Sequence, residues 1–207
     1  MKPEKLAFPA TAVILAGGEN SRMGTPKSFV RVGGVTIIER ELRALSPLFD
    51  EVVVVTRDPA LYAGLGCRVA GDVTGYLDVR GPLIGVYSGI QAARNEYIFV
   101  AGCDMPFMEP GLVRYMAALA PGRDAVVPRV GPYLEPLFAF YRSTAGQALE
   151  DALRQGGKRL QDVYKSLDVM YVAEDEARGL DPELQSFFNV NTPADLAVAE
   201  SSVKVCG

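Results

Sequence analysis

The chain has 207 residues, of which 49% are hydrophobic and 22% charged, and this suits one large globular domain with a sizeable core. Its net charge of −4 argues against nucleic acid as the main partner, because binding a phosphate backbone needs a basic face. The chain contains no histidine, which excludes Ser-His-Asp triads, Cys-His nucleophiles and His-ligated zinc. Any catalysis must therefore use carboxylates, lysine, arginine, backbone amides or a hard metal ion.

The sequence has no convincing targeting or membrane segment. The apolar run at residues 12–16 is too short for the core of a signal peptide. No apolar run approaches the ~20 residues of a membrane span. The cysteines Cys67, Cys103 and Cys206 have no paired spacing, which fits a reducing compartment. We therefore expect a cytoplasmic protein without a membrane partner.

Along the chain, apolar strand-like runs alternate with helical patterns. Residues 1–10, with two prolines and two lysines, predict a flexible N-terminal tail, and residues 11–207 predict a single domain. The strand candidates are unbroken apolar runs, as expected for strands buried on both faces of a parallel sheet. The alternation predicts an α/β fold, namely a Rossmann-like, doubly wound, mostly parallel sheet with helices on both faces. The predicted strands are 12–16, 51–56, 66–70, 97–102, 125–128, 135–141 and 168–173, and the predicted helices are 36–49, 83–95, 110–120, 143–157 and one beginning at Pro193.

A glycine-rich loop follows the first strand, within the segment VILAGGENSRMGTPKSF at residues 13–29. It is not a P-loop, because Gly18 and Gly24 are separated by five residues and Lys27 comes two positions too late. The loop nevertheless lies where open α/β sheets bind ligands. Glycine amides together with Arg22 and Lys27 can hold anionic oxygens, so we predict a phosphate site. The alternative is a plain β-α turn with two surface cations.

Two aspartates are expected at the same edge of the sheet. Asp104 directly follows the buried strand 97–102, and a hard Mg²⁺ ion binds one or two such carboxylates together with phosphate oxygens. Asp72 directly follows the strand 66–70. For Asp104 alone, a turn or N-cap role is the alternative.

Two further segments carry groups suited to binding. Gly81 and Pro82 open a helix whose free amides and positive dipole end would face the cleft, although a proline-containing helix start explains them as well. Asn189 and Asn191 alternate in an extended segment, so their amides can recognise a polar heterocycle or a phosphate. Turn and capping chemistry before the last helix is the alternative for these asparagines.

In combination, these segments resemble the MobA-like nucleotidyltransferase family. The pattern L-A-G-G…R-M-G…K stands at residues 15–27, an aspartate followed by Met-Pro at 104–106, G-P-L-x-G at 81–85 and N-V-N-T-P-x-D-L at 189–196. The G-P-L-x-G segment looks like that of the molybdenum cofactor guanylyltransferases. The first segment departs from the family's G-G-x-S-x-R-M-G at residues 19–21.

The resemblance implies a nucleotide-diphospho-sugar transferase-like fold with an NTP-binding half at 11–128 and an acceptor-binding half at 129–200. It implies Mg²⁺-dependent transfer of GMP from GTP to molybdenum-molybdopterin, which gives molybdopterin guanine dinucleotide and pyrophosphate. Molybdoenzymes or their chaperones would be further partners. The implied roles are catalysis by Lys27, Arg22 and Asp104, metal binding by Asp104, nucleotide binding by Leu15, Ala16, Gly17, Gly18, Lys27, Asp72 and Asp104, and acceptor binding by Arg80, Gly81, Pro82, Asn189 and Asn191.

Other functions stay open at this point. Family members often carry an asparagine where this chain has Val55-Thr56-Arg57, which leaves a CTP-dependent transfer to molybdopterin, or to a sugar or polyol phosphate, as an alternative. A non-catalytic carrier of molybdopterin or nucleotide is an alternative of another class. A P-loop NTPase is a third, and the lysine spacing argues against it.

Overall fold

A central sheet organises the computed structural model, which describes residues 5–16, 26–76, 79–157 and 159–205. Short 3-10 helices lie at Lys27–Phe29, Thr74–Tyr76, Tyr164–Ser166 and Gln185–Phe187. The strands are β1 (Ala10–Leu15), β2 (Arg31–Val32), β3 (Val35–Thr36), β4 (Glu51–Val55), β5 (Arg68–Ala70), β6 (Tyr97–Gly102), β7 (Ala125–Val130), β8 (Tyr133–Leu134), β9 (Phe138–Arg142) and β10 (Val169–Val172). The α-helices are α1 (Ile37–Leu45), α2 (Pro59–Tyr62), α3 (Pro82–Ala92), α4 (Pro110–Leu119), α5 (Ala145–Arg154), α6 (Leu160–Val163), α7 (Glu174–Arg178) and α8 (Pro193–Val205).

The strand order of the main sheet is β10-β7-β9-β6-β1-β4-β5, with β8 paired to β7. Strands β5, β4, β1 and β6 are mutually parallel, as are β7 and β10, whereas β9 runs antiparallel to both β6 and β7. The chain first adds β4 and β5 on one side of β1 and then places β6 on the other side. This reversal is the switch point at which open α/β sheets form their binding crevice. The predicted mostly parallel, doubly wound fold is confirmed.

Hydrophobic residues cover both faces of the sheet. Ile14 of β1 packs with Ile38 of α1 and Leu112 of α4 in one core cluster. Val13, its neighbour in sequence, packs with residues of α3 and α5 in the other. Alternate residues of a strand point to opposite faces, so a strand between two helical layers must be apolar at every position. Strand β6 is buried along its whole length for this reason.

Helix α3 packs directly against β1 at two residues that have no side chain, Gly85 and Gly89. A Cβ atom on Gly85 would lie 2.9 Å from Leu15 Cδ1, and one on Gly89 would lie 2.8 Å from Val13 Cγ1. The helix is apolar on nearly all sides, which is typical of a helix buried in a core. Its N-terminus is thereby brought to the carboxyl edge of the sheet beside the end of β1.

The described part of the predicted N-terminal tail packs against the domain. Leu6 N donates to Leu48 O at 3.0 Å, Lys5 pairs with Asp50 at 2.7 Å, and Ala10 already belongs to β1. Residues 5–9 therefore lie against the core, with Leu6 and Phe8 packed on it, and Ala10 is buried inside the sheet. Within the described ranges, no helix combines the length and apolar character needed to cross a membrane.

The β2–β3 hairpin was missing from the predicted elements. Its two turn residues, Gly33 and Gly34, have φ values of 60° and 77°, a left-handed conformation that favours glycine. The hairpin leads into α1, whose first turn is closed by a capping box between Thr36 and Glu39. The Gly-Gly pair between valines was the available signal for this turn.

Candidate active site

A cavity of about 390 Å³ opens at the carboxyl edge of the sheet, beside the switch point between β1 and β6. The ends of β1, β4 and β6 contribute to its walls, together with the N-terminus of α3. The predicted site residues that line it are Leu15, Lys27, Asp72, Arg80, Gly81, Pro82 and Asp104. Residues distant in sequence thus meet at the place where this fold class binds ligands.

Lys27 connects three of the predicted motifs. Its Nζ donates to Asp104 Oδ2 at 3.1 Å and also donates to Asn191 Oδ1. The lysine begins a 3-10 helix directly after Pro26, and its side chain is 27% exposed, against 20% for Asp104. The ion pair is therefore accessible from the cavity and is not sealed in the core. There the lysine cation is in contact with both a carboxylate and an amide.

Backbone hydrogen bonds fix the position of Asp104. Cys103 N donates to Leu15 O at 3.2 Å, which ties the segment to the end of β1, and Val190 N donates to Asp104 O at 2.9 Å. A Cβ at Gly102 would lie 3.0 Å from Asp104 Oδ1, so the glycine leaves room for the carboxylate. The aspartate is therefore held between β1 and the segment that carries the asparagines.

The two predicted asparagines have different surroundings. Asn191 reaches Lys27, and its backbone N–H donates to Asp195 Oδ2 at 3.0 Å. Asp195 also accepts from Thr192 N at 2.7 Å, which closes the N-terminus of α8, and the Thr192 hydroxyl is the main cause of a lowered pKa at Asp195. Asn189 instead donates from Nδ2 to Phe187 O at 3.0 Å. The structure brings only Asn191 to the lysine.

Asp72 is held by an arginine that was not among the predicted site residues. Arg57 Nε donates to Asp72 Oδ2 at 2.8 Å, and Arg57 Nη2 donates to Val79 O. Arg57 also lines the cavity. The signal in the sequence was its place two residues after the end of β4, at the same edge of the sheet as Asp72 and Asp104.

The start of the glycine-rich loop is anchored at Ala16. Its carbonyl accepts from Thr56 Oγ1 at 3.1 Å and from Tyr62 OH at 3.4 Å, and Tyr62 OH lies 2.7 Å from Ser28 Oγ. Ser28 directly follows Lys27, so both ends of the loop share one buried polar network. The predicted contacts of Gly17, Gly18 and Arg22 lie outside the described residues.

The N-terminus of α3 faces the same cavity. Gly81 precedes the helix with φ of 118°, which favours glycine, and Pro82 occupies the first turn. The first amides of a helix have no intrahelical acceptor and carry the positive end of its dipole. An anionic oxygen placed in the cavity would find these donors.

A buried acid lies behind Asp104. Glu41 of α1 is fully buried, and neither carboxyl oxygen makes a hydrogen bond of regular geometry within the described part of the chain. Burial raises the pKa of Glu41 well above its usual value of 4.5, the charge of Asp104 raises it further, and the nearby Met105 backbone N–H opposes the shift. Burial is also the main cause of the raised pKa of Cys103, with Glu41 and Asp104 contributing.

The carboxylates of the cavity fit a magnesium ion that shares its ligands with a substrate. Asp104 and Asp72 line one cavity, and the described residues contain no cluster of three or more metal-ligating side chains. Mg²⁺ keeps water and phosphate oxygens in its coordination sphere and needs only one or two carboxylates. Of these two carboxylates, Asp104 is the one that pairs with Lys27 at the switch point.

Comparison with known proteins places the chain in a family. The MobA-like NTP transferase domain matches residues 12–170. A probable molybdenum cofactor guanylyltransferase of Pelotomaculum thermopropionicum is 40% identical over 190 residues, covering 92% of this chain and 91% of the relative. A molybdenum cofactor guanylyltransferase of Desulfosudis oleivorans is 35% identical over 196 residues, covering 94% of this chain and 96% of the relative.

Two solved structures are also similar to this chain. Molybdopterin-guanine dinucleotide biosynthesis protein A from Archaeoglobus fulgidus has a TM-score of 0.81 and 31% identity, covering 94% of this chain and 99% of that chain. The 2-C-methyl-D-erythritol 4-phosphate cytidylyltransferase from Thermus thermophilus has a TM-score of 0.69 at 22% identity, covering 93% and 98%, and shares the fold alone. Because the family match spans residues 12–170 and relatives this similar extend over nearly the whole chain, the chain belongs to the MobA-like NTP transferase family.

Proposed function

We propose that this nucleotidyltransferase transfers GMP from GTP to molybdenum-molybdopterin, giving molybdopterin guanine dinucleotide and pyrophosphate. The relatives named as molybdenum cofactor guanylyltransferases support this choice of substrates. The observation that carries the proposal is the contact of Lys27 with both Asp104 and Asn191. It joins the nucleotide side of the cavity to the proposed acceptor segment, and two substrates must meet there for direct transfer.

The reaction needs positioning and charge neutralisation more than acid-base chemistry. An oxygen of the acceptor's terminal phosphate attacks the α-phosphorus of GTP, the bond to the bridging oxygen of the β-phosphate breaks, and pyrophosphate leaves. Lys27 and the N-terminus of α3 offset the negative charge that gathers on the phosphates. The absence of histidine from the chain is compatible with this chemistry.

Asp104 would hold Mg²⁺, and Asp72 is the second carboxylate within the same cavity. Bound Mg²⁺ would neutralise phosphate oxygens and align them for displacement. Lys27, which pairs with Asp104 in the structure, is placed to exchange this partner for a phosphate oxygen. Leu15, Ala16, Gly17, Gly18 and Arg22 complete the proposed nucleotide side.

The proposed acceptor side consists of Asn191, Asn189 and the segment Arg80–Pro82. Arg80, Gly81 and Pro82 line the cavity that also contains Asp72, so the two substrates would share one opening. Molybdoenzymes or their chaperones would take up the product, and the reaction would take place in the cytoplasm.

Pyrophosphate release tests the proposal directly. With purified protein, Mg²⁺ and molybdenum-molybdopterin, we expect release with GTP and formation of the guanine dinucleotide. Little release is expected with CTP or ATP, or when the acceptor is omitted. A clear preference for CTP, or for a sugar or polyol phosphate as acceptor, would contradict the proposal.

A second measurement separates the enzyme from a carrier. Replacing Asp104 by Ala should abolish pyrophosphate release but leave GTP binding measurable by calorimetry. A wild-type protein that binds molybdopterin and nucleotide but releases no pyrophosphate under Mg²⁺ would instead be a carrier.

A further inference from the structure

Arg57 joins three segments that form one wall of the cavity. It follows β4, its Nε donates to Asp72 at the end of β5, and its Nη2 donates to the carbonyl of Val79. Val79 lies two residues before Gly81, which opens α3. The guanidinium therefore connects the aspartate with the segment that enters the helix.

The arginine is itself held in place. Thr56 N donates to Ala70 O at 2.9 Å, and the Thr56 hydroxyl bonds to Ala16 O at 3.1 Å and accepts from Asp58 N at 3.2 Å. The side chains of Arg57 and Asp72 are only 27% and 10% exposed. Because both side chains are mostly buried, their charge-assisted hydrogen bond of 2.8 Å fixes the orientation of the Asp72 carboxylate. Arg57 Nε takes one lone pair of Oδ2, so Oδ1 and the other lone pair of Oδ2 can accept two further donors.

The walls near Asp72 suit a planar base. Leu15, Val55 and Ile84 supply apolar surface to the cavity, and Asp72 supplies acceptors. Guanine presents two adjacent donors, N1–H and the 2-amino group, on one edge. Adenine and cytosine present a donor beside a ring-nitrogen acceptor there. A carboxylate fixed in one orientation accepts both donors of guanine but places an oxygen against the lone pair of the other bases.

We propose that Arg57 is a positioning residue for base selection, which holds the Asp72 carboxylate so that the site accepts guanine and rejects adenine and cytosine. The inference rests on the proposed function, since it concerns how the same cavity chooses GTP. Arg57 acts through Asp72, so its loss should change the choice of base more than the chemistry of transfer.

The test compares four nucleotides in the Arg57→Ala, Arg57→Lys, Asp72→Asn and double Arg57→Ala/Asp72→Asn variants. kcat/KM is measured with GTP, ITP, ATP and CTP, where ITP lacks only the 2-amino group. Wild type should prefer GTP over ITP by about 10- to 100-fold, and Arg57→Ala should bring this ratio to within about 3-fold of unity. The lower kcat/KM of Arg57→Ala for GTP should come mainly from a higher KM for GTP. Arg57→Lys keeps the charge without the forked geometry and should give an intermediate ratio.

The double variant shows whether Arg57 acts through the aspartate. In the Asp72→Asn background, Arg57→Ala should change the GTP/ITP and GTP/ATP ratios by less than about 2-fold. Additive losses would overturn the proposal, since the arginine would then contact the base on its own. An equal loss with all four nucleotides would also overturn it, because a purely structural role gives that result.

Arg123→Ala is the matched control. Arg123 pairs with Asp168 at 2.9 Å on the surface before β7 and β10 begin, at the opposite edge of the sheet. Its removal should leave all four nucleotide ratios unchanged. If Arg57→Ala fails to fold by circular dichroism, the ratios of Arg57→Lys decide the matter. The proposed function fails separately, if wild type itself shows no preference for GTP.

Discussion

Lys27 and Asp104 are 77 residues apart in sequence, and their side chains meet at 3.1 Å where the sheet reverses its winding. The lysine comes from the segment after β1 and the aspartate from the end of β6. The same Lys27 Nζ also contacts Asn191, 164 residues further along the chain. Any displacement of the lysine therefore disturbs its contacts with Asp104, on the proposed nucleotide side, and with Asn191, on the proposed acceptor side.

Removing the charge of Lys27 should slow the reaction without unfolding the protein. We expect Lys27→Met to lower kcat/KM for GTP by about 100-fold, because charge on the departing phosphates is no longer offset. Lys27→Arg should retain activity to within about 10-fold. Folding should be preserved, since the adjacent Ser28 remains bonded to Tyr62.

Lys165→Met is the control for this experiment. Lys165 is 81% exposed, lies 3.8 Å from Asp162 and is not one of the residues that line the cavity. Its kinetic constants should match those of wild type. Pyrophosphate release followed at saturating acceptor gives the comparison, and a Lys27→Met enzyme as active as Lys165→Met would remove the lysine from the mechanism.

The two asparagines of the N-V-N segment should differ in their effect. Asn191→Ala should raise the KM for molybdopterin by about 10-fold, because the lost amide leaves Lys27 without its second partner. The KM for GTP should stay nearly constant. Asn189→Ala removes a bond to Phe187 O and should affect the acceptor KM less. Initial rates at varied acceptor decide between them, and the reverse order would show that Asn189 is the residue facing the acceptor.

The two glycines of α3 should respond differently to alanine. At Gly89, a methyl group meets the stiff, fully buried Val13, so Gly89→Ala should lower the free energy of unfolding by about 1–3 kcal/mol. At Gly85 the obstacle is the end of the Leu15 side chain, which lines the cavity and can move. Gly85→Ala should therefore raise the KM for nucleotide. It should lower the free energy of unfolding by less than Gly89→Ala does.

Gly146→Ala in α5 is the matched control for the glycine variants. Its Cβ would lie 3.5 Å from Ile90 Cγ2, an ordinary contact. Here the helical preference of alanine should dominate, and stability should rise by up to about 1 kcal/mol. Urea unfolding of the three variants gives the comparison. A Gly89→Ala protein as stable as wild type would mean that α3 can shift away from β1 freely.

Glu41 should make the protein less stable as pH rises. Burial raises its pKa well above 4.5 in the folded state, so the native protein keeps a proton that the unfolded chain has released. Stability associated with this group is present below pH 4.5 and is lost as pH climbs through the folded pKa. Glu41→Leu should therefore exceed wild type by about 1–3 kcal/mol at high pH, with a difference that shrinks on acidification.

Glu39→Gln provides the opposite pH response on the same helix. The Thr36 hydroxyl is the main cause of the lowered pKa of Glu39, so its contribution is present at neutral pH and lost as pH falls. Urea unfolding from about pH 3 to about pH 8 should therefore give stability differences from wild type that change with pH in opposite directions, for Glu39→Gln below the usual pKa of 4.5 and for Glu41→Leu above it. A destabilised Glu41→Leu with no pH dependence would show that the carboxyl group has a partner in the native state.

The sequence predicts the framework of this fold well because its strands are locally encoded. The apolar run 97–102 coincides with β6, and the aspartates that follow strands do line the cavity at one edge. Contacts between distant side chains carry no such local signal. The hydrogen bond between Arg57 and Asp72 forms because β4 and β5 are neighbours in the sheet. The sequence pattern of each strand does not indicate which strand lies beside it.

Helix α1 contains a charged residue, Glu41, whose burial the sequence does not predict. Glu41 stands four residues after Ile37 and four before Leu45, so the helical period places it on the buried face. The helical period thus places Glu41 on the buried face, but its charge would normally predict a solvent-exposed side chain. Thr144 is a second case: threonine is a typical capping residue and it occupies the N-cap position of α5, but its hydroxyl donates to Asp124 at 2.6 Å and makes no capping hydrogen bond.

Strand β9 couples the unfolding of the two proposed halves of the chain. It pairs with β6 on one side and with β7 on the other, so a continuous ladder of backbone hydrogen bonds passes through both proposed halves. Neither half can swing on a hinge without breaking that ladder. A fragment that ends at residue 128 would expose the edge of β6 and should not remain folded. The chain should therefore melt in a single cooperative transition, and GTP bound at one end of the site should delay the unfolding of the other.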